Sequence, residues 1–148
     1  MKLSWHSLRV SVAGARLSHL VQKDKVWDHG TMVEQVKNLF YKIEKAKTRN
    51  DPHFIRTNLT PKAYLELDLI IQTQTEKPVF KNAALTEVSV IEVKEGKNNH
   101  PDRFTALIKG KRKVGDGGSG TVNFSERWHF AREGDWWLRM ILSKPFSI

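Results

Sequence analysis

The sequence predicts an α+β fold in which three or four N-terminal helices pack on a four-stranded antiparallel sheet. Helix-capping signals occur only before Pro78, and strand-like alternation follows it. Residues 121–142, TVNFSERWHFAREGDWWLRMIL, alternate apolar and polar side chains on both sides of the turn Glu133-Gly134-Asp135. Side chains of a strand switch faces at every residue, so this stretch predicts a hairpin with one buried face.

The first helix of the globular part is predicted from Thr31 to about Arg49. Thr31-Met32-Val33-Glu34 is a capping-box sequence, in which the Thr hydroxyl and the Glu carboxylate satisfy the first backbone amides. Apolar side chains at helical spacing predict one buried face, formed by Val33, Val36, Phe40 and Ile43.

Two further helices have proline at or near their first turn. Asp51-Pro52 predicts a short helix around His53–Asn58, and Thr60-Pro61 predicts a helix that runs to about Gln74. In the latter we expect three apolar side chains to be buried, Leu65, Leu69 and Ile70.

Four strands are predicted after these helices. Leu85–Lys94 carries branched side chains on both faces, which predicts a central, mostly buried strand, and Phe104–Arg112 is the second. In the final hairpin one parity holds the apolar residues Val122, Phe124, Trp128, Phe130, Trp136, Leu138, Met140 and Leu142. We expect Phe124, Trp128, Phe130, Trp136 and Met140 to form either a filled core or a pocket for an acyl chain or peptide side chain.

Composition narrows the class of protein. The 148 residues fit a single soluble domain, and the absence of cysteine excludes disulfides and thiolate metal sites. No apolar run approaches the roughly 20 residues that a membrane-spanning helix needs. The net charge of +9 predicts a polyanionic partner, either an anionic lipid surface or an RNA backbone.

Residues 1–30 form a basic, serine-rich N-terminal segment, distinct from the domain predicted over residues 31–148. Its first 23 residues contain no acid, and at 100° per residue four cations share one helical face: Lys2, Arg9, Arg16 and Lys23. This composition is typical of a mitochondrial transit peptide or an interfacial membrane helix, and also fits an ordinary docking helix.

A second group of cations, Lys109, Lys111, Arg112 and Lys113, lies at the end of the second strand. As phosphate contacts they would give sequence-independent, salt-dependent binding. No aromatic residue lies within the run, so contacts to the backbone of RNA are expected rather than base stacking.

The sequence does not predict an enzyme. Candidate proton-transfer groups are Asp68, Glu126 and His129. We expect Asp68 to be exposed to solvent, and no second titratable group accompanies His129 at a useful spacing, so Glu126 is the better candidate for an interior acid. We expect Glu126 to be paired with a cation such as Arg139. No metal-ligand spacing and no phosphate-binding glycine loop occurs, so no metal or other cofactor is predicted.

The order of these elements resembles one branch of the nuclear-transport-factor-two-like superfamily. The branch comprises the C-terminal domain of the inner-membrane subunit that anchors the mitochondrial import motor, with mitoribosomal and bacterial relatives. The matching features are Phe40 and Ile43, Asp51, Leu59-Thr60-Pro61, Asn82 before strand Leu85–Val93, and Glu126-x-Trp128-x-Phe130 with Trp137-x-x-x-Ile141. Arg49-Asn50 departs from the pattern of these relatives, and residues 1–30 have no counterpart in them.

The resemblance implies a cone, formed by a curved sheet roofed with helices. It also implies a non-catalytic structural or adaptor subunit of a larger membrane-proximal assembly, with other protein subunits as partners. The expected location is the matrix side of the mitochondrial inner membrane, or alternatively the bacterial cytoplasm. An RNA-contacting mitoribosomal subunit and an isomerase or hydratase of the same fold are the alternative functions.

Overall fold

The α+β arrangement is confirmed: the helices come first and a curled four-stranded antiparallel sheet follows. This computed structural model describes residues 4–73, 83–114 and 120–140. The helices are α1 (Trp5–Leu20), α2 (His29–Arg49) and α3 (Pro61–Thr73), with 3₁₀ turns at Lys25–Trp27 and His53–Asn58. The strands are β1 (Ala84–Lys94), β2 (Arg103–Val114), β3 (Gly120–Glu133) and β4 (Trp136–Arg139).

Helix α1 begins at Ser4, whose hydroxyl accepts a hydrogen bond from the Ser7 amide. It buries Ala13, Leu17 and Leu20 in the common core and packs along β1. Lys23 lies beyond the end of this helix, and Lys2 lies outside the described residues.

Helix α2 starts two residues earlier than predicted. Asp28, not Thr31, is the N-cap, because its carboxylate accepts from both the amide and the hydroxyl of Thr31. The predicted core face is otherwise correct, with Val36, Phe40 and Ile43 fully buried.

Thr60 caps α3 as predicted, whereas the N-cap of the preceding 3₁₀ turn is Pro52, without a side-chain cap bond, and not Asp51. The buried face of α3 also differs from the prediction. Asp51 accepts from the His53 amide, and Thr60 accepts from the Ala63 amide. The prediction that Leu65 and Leu69 are buried is wrong, because both are mostly exposed. The helix instead buries Ala63, Leu67 and Ile71, at spacings i, i+4 and i+8, and Ile70 is partly buried against them.

The sheet order is β1-β2-β3-β4, so β1 is an edge strand and the prediction of a central strand is wrong. Irregularities in the pairing between Leu85 and Glu87 and between Val90 and Glu92 reset the alternation. As a result β1 has apolar residues on both parities without being central.

The helices cover one side of the sheet, called here the inner face. Phe104 and Phe130 stack there with ring centroids 4.6 Å apart, and Phe40 of α2 stacks on Phe124 at 5.8 Å. The other side is called the outer face. Within the part of the chain that the structure describes, no helix is both long and apolar enough to cross a bilayer.

Candidate functional site: the outer face of the sheet

The alternation of β2 separates the cations of the basic run. Phe104, Ala106 and Ile108 are buried on the inner face, so Arg103, Lys109 and Lys111 lie on the outer face. The cross-strand partners of Lys109 and Lys111 in β3 are Ser125 and Asn123. Two of the predicted polyanion-binding residues, Lys109 and Lys111, therefore share one surface.

Arg127 extends this surface onto β3. It lies opposite Leu107 and one diagonal step from Lys109, a separation of roughly 7–8 Å for such pairs. None of Arg103, Lys109, Lys111 and Arg127 forms an ion pair within 4.0 Å among the described residues. We call these four residues the outer basic face.

The acids on this side of the sheet are engaged by helix α1. The His6 ring lies 2.9 Å from the Glu87 carboxylate, and the Arg9 guanidinium lies 3.1 Å from Glu92. The hydroxyl of Ser89 lowers the pKa of Glu87, and the charges of His6 and Lys109 add to this effect. Glu87 is also the cross-strand partner of Lys109 in β1, so its charge is shared between His6 and Lys109, while Glu92 is shared between Arg9 and Lys94.

Arg9 and Arg16, which the sequence predicts as polyanion contacts, are turned towards β1. Arg16 donates to the Val93 carbonyl at 3.2 Å and lies 4.0 Å from Glu95. Both arginines attach α1 to the sheet. Of the four N-terminal cations, Lys23 alone is described as solvent-exposed without such a contact.

Arg112 lies on the inner face, because it is one residue out of phase with Lys111. Its guanidinium lies 3.3 Å from Glu44 and stands over the Phe124 ring at 4.6 Å. Contrary to the prediction, Arg112 therefore does not share the surface of Lys109 and Lys111. The side chain of Lys113 lies outside the described residues.

The predicted apolar interior needs a similar correction. Phe124, Trp128 and Phe130 do face inwards, but Trp136 is 44% exposed, whereas Trp137 is only 2% exposed. The reason is the turn: Glu133 pairs with Trp136, so only two residues connect the strands, and Gly134 takes a positive φ of 61°. A three-residue turn would have kept the predicted parity.

The same shift moves Met140 to the outer face and Arg139 to the inner face. The Met140 amide donates to the His129 carbonyl, while Arg139 is the cross-strand partner of buried Phe130. The Arg139 guanidinium lies 3.5 Å from the centroid of the Trp128 ring. Burial lowers the pKa of Arg139 to about 9, and the nearby charges of Glu126 and Glu66 oppose that shift.

Glu126 is the acid of the interior. Its carboxylate accepts a hydrogen bond from the Trp128 indole at 3.0 Å and lies within the electrostatic reach of Arg139. Glu126 therefore has a hydrogen-bond donor and a cation beside it, whereas a proton-transfer acid is usually found in an apolar pocket.

The other charged side chains of the interior also lie near residues of opposite charge. Burial lowers the pKa of Lys47, and the Glu44 carboxylate opposes that shift. Glu44 in turn pairs with Arg112, while one of its oxygens is buried without a hydrogen-bond partner. Three cations, Lys47, Arg112 and Arg139, thus face three acids, Glu44, Glu66 and Glu126.

The three candidate proton-transfer residues lie in separate places. Asp68 accepts from Gln72 on the surface of α3, and His129 is on the outer face beside the Thr105 hydroxyl, 2.9 Å away. Glu126 is inside. Over residues 4–73, 83–114 and 120–140, no three His, Asp or Glu side chains are grouped as metal ligands would be.

Sequence reasoning missed Arg103 and Arg127 as members of the basic site and Arg139 as an inner residue. Arg127 could have been found, because it has the opposite parity to Trp128. Arg103 could have been found in the same way from Phe104, whereas the position of Arg139 depended on the turn length, which the sequence left open.

Helix α1 carries a second exposed feature. Trp5, Leu8 and Val12 are spaced i, i+3 and i+7 and form an apolar stripe, with Trp5 72% exposed. The stripe lies on a helix whose other contacts, through His6 and Arg9, reach acids of the outer face.

No family model matches this chain, and no curated protein matches it.

Proposed function

We propose that this protein is a non-catalytic adaptor domain that docks on an anionic membrane surface within a larger protein assembly. The observation that carries the proposal is the outer basic face, Arg103, Lys109, Lys111 and Arg127, whose cations form no ion pairs among the described residues. Such a surface attracts a polyanion, and each cation near an anionic bilayer contributes about 1 kcal/mol.

The interior supports an adaptor rather than an isomerase or hydratase. Its acid, Glu126, accepts a hydrogen bond from the Trp128 indole and lies near the charge of Arg139. An enzyme of this kind would need an acid or base with an unsatisfied proton-transfer role in an open pocket. The aromatic side chains of the inner face pack on one another instead.

The choice of a membrane over RNA is supported by the aromatic and apolar residues. The four Phe and Trp side chains of β2 and β3 lie on the inner face, namely Phe104, Phe124, Trp128 and Phe130. Single-stranded RNA is usually held by exposed aromatic side chains that stack on its bases. The stripe of Trp5, Leu8 and Val12 suits the boundary between headgroups and acyl chains instead.

The setting follows from the resemblance to the import-motor anchor domain. It suggests the matrix side of the mitochondrial inner membrane, with a bacterial cytoplasmic location as the alternative. Leu65 and Leu69, exposed on α3, offer a separate apolar surface for a protein subunit. Fractionation of cells that express the tagged chain, with alkaline extraction of the membranes, tests the location.

Vesicle co-sedimentation tests the docking function. We expect the protein to bind vesicles that contain anionic lipid and to be released by salt, because the Debye length falls to about 3 Å at 1 M. Neutralising Lys109, Lys111 and Arg127 to Gln together should weaken the partition coefficient by about 150-fold, since three cations contribute about 3 kcal/mol.

The matched control neutralises three exposed lysines of the helices, Lys37, Lys42 and Lys62. It removes the same charge, so any effect of net charge alone is equal in the two triple variants. Equal loss of binding in both would contradict a role for the outer basic face. Binding of single-stranded RNA but not of vesicles would overturn the choice of a membrane.

A further inference from the structure

A hollow of about 280 Å³ opens on the outer face of the sheet, towards the β1–β2 turn. Its polar lining comes from three neighbouring strands: Glu92 and Lys94 of β1, Arg103 and Thr105 of β2, and His129 of β3. The pairing places these side chains together, because Lys94 lies opposite Arg103, and Thr105 lies between Glu92 and His129. Phe104, Phe130 and Met140 supply the apolar part of its lining.

The floor of the hollow is a fixed polar pair. The Thr105 hydroxyl and the His129 Nδ1 are 2.9 Å apart, and Thr105 is buried although it lies on the outer face. This bond holds the Thr105 hydroxyl in place at the bottom of the hollow.

The charges around the hollow are not balanced. Glu92 is shared by two cations, Lys94 at 3.2 Å and Arg9 at 3.1 Å. Arg103 has no carboxylate within 4.0 Å among the residues that the structure describes. Lys94 and Arg103 outnumber Glu92 in the lining of the hollow, and this excess of positive charge favours an anionic ligand.

We propose that this hollow is a binding subsite for a phosphoryl group, either free or in a lipid headgroup. Arg103 provides a planar guanidinium that matches two phosphoryl oxygens, while Lys94 contributes a mobile ammonium and Thr105 a hydroxyl. Donors on three sides suit the tetrahedral phosphoryl group better than a planar carboxylate. The volume lies below the roughly 300–1,000 Å³ of pockets for drug-sized ligands, which limits the ligand to a headgroup-sized fragment.

The lipid form of this subsite rests on the proposed membrane function, whereas the free form does not. Titration with inorganic phosphate at constant ionic strength, followed by the ¹⁵N–¹H resonances of the protein, tests the subsite itself. We expect saturable shifts at Arg103, Thr105 and His129. Arg103→Gln should weaken the apparent affinity about tenfold, because it removes charge-assisted hydrogen bonds.

Thr105→Val keeps the shape of the buried side chain and removes the hydroxyl, so it should weaken phosphate binding without unfolding the protein. Lys37→Gln, a loss of one exposed cation on α2, should change the affinity less than twofold. Equal effects of Arg103→Gln and Lys37→Gln, or the absence of saturable shifts, would overturn the subsite.

Vesicles distinguish the source of the phosphoryl group. Phosphatidic acid presents a phosphomonoester, and phosphatidylserine at matched surface charge does not. Preference for phosphatidic acid that Arg103→Gln abolishes supports a headgroup subsite. Phosphate binding without vesicle binding supports the free form and refutes the membrane function. Vesicle binding with no response to phosphate or to Arg103→Gln refutes the subsite and leaves the membrane function standing.

Discussion

Replacing Trp137 with Phe, beside the same change at Trp136, tests the two-residue turn on which both faces of β4 depend. Trp137 is 2% exposed, and its indole N–H donates to the Val26 carbonyl at 3.1 Å. Its ring meets Trp27 and Phe104 edge-on, with centroids 5.0 and 4.8 Å away. Trp136 is on the outer face and is 44% exposed.

The magnitude follows from these contacts. Aromatic side chains bury about 150–250 Å² each, and the indole exceeds the phenyl ring by roughly 50 Å², worth about 1.3 kcal/mol. The lost hydrogen bond adds about 1 kcal/mol, because the Val26 carbonyl loses its partner. We therefore expect Trp137→Phe to lower the free energy of unfolding by about 2 kcal/mol and Tm by about 6 °C.

Trp136→Phe is the matched control, since it makes the same chemical change one residue away. We expect a loss below about 0.5 kcal/mol, as for most surface substitutions. Urea unfolding followed by far-UV circular dichroism measures both, and equal m-values confirm that only stability has changed. A larger loss at Trp136 than at Trp137 would mean that the turn has three residues and that the inner and outer faces of β4 are exchanged.

Three further predictions concern the ionised groups. Burial lowers the pKa of Lys47 in the folded protein below 10.5. Between the folded and unfolded pKa values the unfolded chain binds more protons, so the free energy of unfolding rises with pH there. Lys47→Met should flatten this rise in urea titrations from pH 8 to 10.5, and an unchanged slope would exclude Lys47 as its source. The Val26 amide, followed by Arg132, lowers the pKa of Asp24, so its contribution is lost as pH falls through that lowered value. Arg132→Gln should therefore raise the midpoint pH of acid unfolding, whereas Arg127→Gln should not. Glu126→Gln and Arg139→Met should show a coupling energy of at least about 1 kcal/mol in a double-mutant cycle of urea unfolding, because each single substitution leaves the other residue without its opposite charge. Additive effects would show that the two residues do not interact.

The helices and their order could be predicted because the signals are local. Thr60 caps the helix predicted for it, and Phe40 and Ile43 are buried on one helix face. A cap is decided by side chains and amides two or three residues apart. The fold class follows from that order together with the alternation of β3.

The buried face of α3 could not be chosen from periodicity alone. Leu65, Leu67 and Leu69 are two residues apart, and each step of two residues turns the side chain by 200° around the helix axis, so they cannot all face the core. The sheet selects Leu67 because Ala63 and Ile71 align with it, and this leaves Leu65 and Leu69 outside. The buried face of α3 is therefore determined by tertiary packing and not by a local sequence signal in the helix.

Only part of the outer basic face, Lys109 and Lys111, was predicted from the sequence. Alternation alone separates Lys111 from Arg112, but it does not say which strand lies beside which residue. Arg103 shares a strand and a parity with Lys109, but Arg127 lies beside Lys109 only through the register of β2 and β3. Long-range register is set by the buried face as a whole, so a single strand cannot reveal it.

The charges of the two faces have different consequences. Inside, three cations face three acids, so the interior adds little net field at the outer surface. Outside, the two acids of β1 are occupied by His6 and Arg9 of α1. Helix α1 therefore does more than cover the sheet edge: its Arg9 guanidinium pairs with Glu92 and its His6 ring lies against Glu87, so both carboxylates have a partner on the helix. Detachment of α1 would uncover those carboxylates, so the docking of this helix and the affinity of the outer face for anions are coupled through Glu87 and Glu92.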